Sequence, residues 1–159
     1  MSEHGHEHLT GEKPASHTNQ MILMVVFFAV WIADSFLLRV TTFLFDLNLI
    51  WLYVIPGIII LAFSIYMMDR SHKDLFDTRM EGVASFGVYG QVRPPMYLGT
   101  FLFYLGLAVA TFSLAALAVW IIAVAYYNSL ANYEENLLEE RFGTQYLEYK
   151  KNVRKWIPL

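Results

Sequence analysis

Arg93 stands just before Pro94-Pro95 and a long apolar run, and two acidic pairs, Glu134-Glu135 and Glu139-Glu140, follow that run. A guanidinium held beside a rigid Pro-Pro step can clamp a carboxylate or a phosphate; it can equally be a plain anchor at a membrane boundary. Of the four glutamates, one turned inward could hold an amine- or sulfonium-bearing group, or pair with Arg93. The alternative is a solvated helix face, and Glu139 and Glu140 read that way. Glu135 and Glu139 are four apart, a mildly repulsive spacing when exposed. Asp34 and Arg39 interrupt another apolar run. Five residues apart, they are not an ideal helical ion pair, and they suit either a polar cavity or helix packing near a boundary. His4, His6, His8 and His17 lie among Glu3 and Glu7, a pattern that fits a weak zinc, copper or nickel tract or a flexible solubilising tail. No specific metal site is assigned. Cysteine is absent, which excludes disulfides, thiolate nucleophiles and cysteine-ligated metal clusters.

These residues sit in a chain of 159 that is 57% hydrophobic and 16% charged, with a mean hydropathy of +0.42. That is more apolar surface than a small soluble domain can hide. The formal net charge of −3 provides no basic field for a nucleic acid. Residues 1–20 are polar and without periodicity, and read as a disordered, His-rich arm. The rest, 21–159, reads as one all-α membrane domain. Its predicted helices cover 21–45, 49–68 (with Pro56-Gly57 inside), 96–111 and 114–141, with a short amphipathic helix over 144–155. A spanning helix needs about 20 apolar residues to cross a core of about 30 Å. The stretch 96–127 is apolar throughout; it is either one tilted helix or a hairpin turning at Thr111-Phe112-Ser113. Residues 69–95 form the longest polar connection, rich in charge and glycine, and a connection that long usually has a job.

Basic residues choose between the two arrangements. Nine of the 11 Lys and Arg lie in 69–95 or after residue 128. With four helices those two segments and the N-terminus share one face, which the positive-inside rule makes cytoplasmic. A single crossing over 96–127 would put them on opposite faces, so the hairpin is preferred.

Two segments carry a family resemblance. Gly87-Val88-Tyr89-Gly90-Gln91-Val92-Arg93-Pro94-Pro95-Met96-Tyr97 resembles the approach G-x-Y-x-x-V-R-H-P-x-Y. Glu134-Glu135 through Leu138, Phe142-Gly143, Tyr146 and Tyr149, with the basic-aromatic end Val153-Arg154-Lys155-Trp156-Ile157-Pro158, resembles a later signature. Together they are similar to the isoprenylcysteine carboxyl methyltransferase family and its phospholipid N-methylating relatives. The resemblance implies a helical membrane enzyme that binds S-adenosylmethionine at the cytosolic side and admits a lipid-like acceptor from the bilayer. It implies cofactor contacts from Val83, Gly87, Tyr89, Arg93, Pro95, Tyr97, Glu134 and Glu135, with Arg93 and Glu135 central to catalysis. Two positions depart from the pattern. Pro94 replaces a histidine, and Leu130 stands where an arginine often precedes the paired glutamates. Both count against carboxyl methylation of a prenylated cysteine. They leave open another methyl acceptor, or a non-catalytic membrane protein that keeps the fold to bind a lipid or partner.

Overall fold

The computed structural model describes residues 16–43, 50–76 and 82–156. Within them the architecture is helical, with α1 at Ser16–Ile32 running into a π-helical turn at Ala33–Leu38. There follow α2 at Ile50–Phe76, a 3-10 turn at Gly87–Gly90, α3 at Pro95–Ala110, α4 at Leu114–Phe142 and α5 at Thr144–Asn152. Helices α1 (with its π turn), α2 and α4 are long and apolar enough to cross a membrane; α3 is a shorter apolar helix. Their outer faces are apolar: Ile22, Val25, Leu52, Ile59 and Ile121 are all more than half exposed. Lipid is the solvent that such faces require, so the chain is a polytopic membrane protein.

The hairpin over 96–127 turns at Thr111-Phe112-Ser113, where Phe112 has a φ of 46°. At this end the backbone must satisfy itself, because α3 rises only about 24 Å in a core of about 30 Å. The first four N–H groups of α4 are all taken. Leu114 donates to the Thr41 carbonyl (3.3 Å) and Ala115 to Thr41 Oγ1 (2.9 Å). Ala116 donates to Ser113 Oγ (3.2 Å) and Leu117 to the Ser113 carbonyl (3.1 Å). Asp34 sits behind this cap, accepting from the Ser113 hydroxyl and from the backbone and side chain of Thr41. A carboxylate here also faces the positive end of the α4 dipole.

That arrangement ends the first helix early. It was predicted to reach residue 45, but Arg39 adopts a left-handed conformation (φ 54°). The Asp34 carboxylate competes for the Thr41 N–H that a continuing helix would use. Asp34 is therefore a packing and capping residue, and Arg39 is exposed beyond the helix. At its other end α1 is described from Ser16, inside the predicted arm, where Ser16 is buried and its carbonyl accepts from Tyr126 of α4. His17 is exposed on α1; His4, His6 and His8 lie outside the described residues.

Helix α2 continues eight residues past the predicted Met68. Ser71 bonds back to the Met67 carbonyl, Lys73 pairs with Asp69, and Asp74 receives the Val88 N–H. The polar connection is shorter by that much. Helix α5 stops at Asn152, three residues before the predicted end, and Val153 is extended.

The α2–α3 interface is the most extensive and runs antiparallel through small residues. A Cβ on Gly57 would lie 2.5 Å from the Ala110 Cβ and 2.6 Å from its backbone; one on Gly106 would lie 2.7 Å from Leu61 Cγ. In lipid, close backbone approach substitutes for the missing hydrophobic drive. Gly57→Val is thus expected to force α2 and α3 apart and to destabilise the bundle by about 1–3 kcal/mol. Thermal unfolding in detergent reads this directly, and an unchanged midpoint contradicts the packing.

Candidate active site

The C-terminal ends of α2 and α4 and the start of α3 lie at the face opposite the hairpin turn. Residues 82–94 form a strap across it. Gly87 has a φ of 57°, and a Cβ there would sit 2.0 Å from Asp74 Oδ2, the same oxygen that takes the Val88 N–H at 2.9 Å. Only glycine lets the strap dock on α2 this closely. Further along, Val92 is fully buried and the Arg93 N–H donates to the Arg154 carbonyl (3.1 Å). Pro95, also buried, opens α3 at its first position, where its missing N–H costs nothing.

The chain reverses at Gly143 (φ 53°), and α5 returns along α4. Lys150 meets Glu139, Lys155 meets Asn132 and Trp156 bonds Asn128 (3.1 Å). Tyr146 and Tyr149 of α5 and Val153 just after it form one buried cluster, with Val83, Leu138 and Phe142 packed against them. The Tyr149 hydroxyl donates to the Tyr89 carbonyl at 2.7 Å, tying α5 to the strap.

Glu135 is the centre of the resulting charge cluster. Its Oε2 lies 3.3 Å from Arg93 Nη1, and the two side chains are 10% and 12% exposed. The ammonium groups of Lys150 and Lys155 each lie 3.8 Å from it. Among the described residues two buried side-chain atoms make no hydrogen bond: Arg93 Nε and Glu135 Oε1, the latter in ion-pair contact with Lys155 (3.8 Å). Next to this pair the Tyr97 hydroxyl donates to Glu134. Burial raises the Tyr146 and Tyr149 phenols well above their ordinary range, and the Glu135 charge adds to both. The Tyr89 phenol is pushed up to about 12 by burial, with Asp74 and Glu134 contributing. Lys155 is shifted down, first by burial and then by Arg93 and Lys150, while Glu135 opposes the shift.

An open cavity of about 400 Å³ adjoins the cluster, with Arg93, Lys150, Lys155 and Trp156 among its walls. That volume lies in the range of small-molecule sites. Arg93 on the cavity wall stands side by side with the buried Glu135 carboxylate behind it, and each has an atom that makes no hydrogen bond. Such a pair can receive a ligand that bears both charges.

The phospholipid methyltransferase family model matches residues 47–145. The chain belongs to this family. Among curated relatives, protein-S-isoprenylcysteine O-methyltransferase A of Arabidopsis thaliana is 31% identical over 109 residues, and the B protein of the same plant is 29% identical. Each match covers 66% of this chain, and the chain spans about half (55%) of the length of those relatives. No solved structure matches.

The family match contains the strap, the hairpin and the whole Glu134-Glu135 helix. Of the residues predicted for the site, Arg93 and Glu135 meet directly, and Tyr97 and Glu134 meet each other beside them. Val83 packs on the α5 aromatic cluster and Gly87 on Asp74, so both hold the strap at a remove from the charges. Tyr89 contributes a carbonyl to Tyr149. Glu140 is exposed as predicted; Glu139 instead pairs with Lys150. Sequence reasoning missed Lys150 and Lys155 as partners of Glu135, and Asp74 as the strap's dock. The basic residues were visible, but their link to Glu135 depends on the reversal at Gly143. The family match stops at residue 145, short of both lysines.

Proposed function

We propose that the protein is an S-adenosylmethionine-dependent methyltransferase acting on a hydrophobic, membrane-resident acceptor. The observation that carries this reading is the buried Arg93–Glu135 pair next to the cavity, in which Arg93 Nε and Glu135 Oε1 make no hydrogen bond. The amino-acid end of S-adenosylmethionine is a zwitterion, and the pair fits it: the Arg93 guanidinium would hold the carboxylate and Glu135 the ammonium. When bound, the cofactor supplies a methyl group already activated on a sulfonium. Little covalent help is then asked of the protein, and its contribution is alignment and exclusion of water. The rigid Pro94-Pro95 step keeps Arg93 in place. Tyr97 orients Glu134 by its hydrogen bond, and Trp156 against Phe101 (ring centroids 5.2 Å apart) closes the cavity wall toward the lipid. The strap and the C-terminal segment lie on the cytoplasmic side in this reading, as their basic residues favour.

Acceptor chemistry separates by the product. Reconstituted protein supplied with radiolabelled S-adenosylmethionine, membrane lipid extract and a prenylated cysteine substrate is expected to label one of them. A methyl ester on a carboxyl group is released as methanol by base, whereas an N-methyl group survives. Pro94, in place of the family histidine, motivates the second reading, a non-catalytic lipid- or partner-binding protein. No labelled product from either substrate, with no cofactor binding at millimolar concentration, would favour that second reading.

A further inference from the structure

The C-terminal return places far more positive than negative charge in one corner of a chain that is acidic overall. Arg93, Lys150, Lys151, Arg154 and Lys155 all line the open cavity of about 400 Å³, together with Trp156. Glu135 and Glu139 are the carboxylates in ion-pair contact with them, so five cations face two anions. Lys151 and Arg154 are exposed and, among the described residues, form no ion pair. Burial lowers the Lys155 pKa, Glu135 opposes the shift, and Arg93 and Lys150 add to it.

Trp156 is one wall of the cavity. Its ring packs on Phe101 in the second turn of α3, and its Nε1 bonds Asn128. Asn128 is where α4 changes from an apolar run ending at Tyr126-Tyr127 to the polar sequence of Asn132, Glu134 and Glu135. An indole at that level marks the boundary between hydrocarbon and headgroups. Four basic residues within 150–155, at the end of α5 and just after it, lie on the polar side of that boundary and are the kind of cluster that attracts anionic lipid.

We infer that the exposed rim of this cavity, away from the Arg93–Glu135 pair, is a binding site for the phosphate of an anionic phospholipid headgroup, held by Lys151 and Arg154 with Trp156 against the acyl boundary. The site differs from the proposed cofactor pair in using the outer, exposed cations, and it needs no methyl transfer to be occupied. A zwitterionic headgroup is a poorer fit, because its own cation neutralises the phosphate and adds to the crowding.

The full chain, in nanodiscs of phosphatidylcholine with and without phosphatidylglycerol, tests this. Native mass spectrometry reads which lipids stay bound, and hydrogen exchange reads protection of residues 144–156. Wild type is expected to retain phosphatidylglycerol selectively and to gain protection in that segment. The double variant Lys151→Gln, Arg154→Gln should lose roughly 30-fold in that preference, at about fivefold per basic residue. Both side chains are exposed, and an unchanged melting point for the variant shows that the fold is intact. Equal retention of the two lipids by wild type overturns the proposal, as does a preference that survives in the variant. Inorganic phosphate bound to the detergent-solubilised chain as tightly as the lipid would overturn the lipid assignment in favour of a soluble anion.

Discussion

Glu135→Gln is expected to weaken S-adenosylhomocysteine binding by about a hundredfold or more in detergent calorimetry. Glutamine keeps the shape of the side chain and removes its charge. Truncating one partner of a buried, hydrogen-bonded charge pair costs about 2–5 kcal/mol in binding, because the other charge is left without its counter-ion. Here the loss is felt twice. The ligand's ammonium group loses its proposed partner, and Arg93, Lys150 and Lys155 converge on a neutral amide. The same substitution is expected to lower stability by about 3–5 kcal/mol, the usual cost of breaking a buried pair. The two effects are separable, since binding is measured on the folded fraction at low temperature. Glu140→Gln, on the exposed face of the same helix, should change neither. Unchanged affinity in Glu135→Gln would remove Glu135 from the site.

Asp34→Ala is the structural counterpart, with a large effect of a different kind. It strands the Thr41 N–H and the hydroxyls of Thr41 and Ser113, which together cap the start of α4. Each buried group left unsatisfied costs about 1–3 kcal/mol, so a total of several kcal/mol and a large fall in melting temperature are expected. Asp34→Asn retains an acceptor and should cost less. Neither variant should alter ligand affinity in the folded fraction, because the cluster lies at the hairpin end of the bundle and the charge pair at the other. A specific loss of affinity at full stability would contradict this division.

The membrane bundle was legible because it rests on composition. Apolar runs of spanning length and the placement of lysine and arginine led to the hairpin and its turn at Thr111-Phe112-Ser113, which the structure contains. Boundaries were less legible where a side chain competes with the helix, as Asp34 does for Thr41, or where a polar segment docks, as Asp74 does on Val88. For the site, the pairing of Arg93 with one glutamate of the acidic cluster could be foreseen as chemistry. Which glutamate turns inward follows from the rotation of α4, and that is set by the burial of Tyr127, Leu130 and Ala131. The roles of Lys150 and Lys155 were hidden. They depend on one glycine conformation that folds α5 back, and no spacing within 144–156 reports its partner on α4.

Hydrogen exchange of the nanodisc-embedded chain, with and without S-adenosylhomocysteine, tests the central claim most directly. If Arg93 and Glu135 hold the ligand together, protection should rise in the strap over 82–94 and in α4 around 130–139. The hairpin turn at 111–113 should be unaffected. Binding with no added protection in either segment, or with protection only at the turn, would contradict the account.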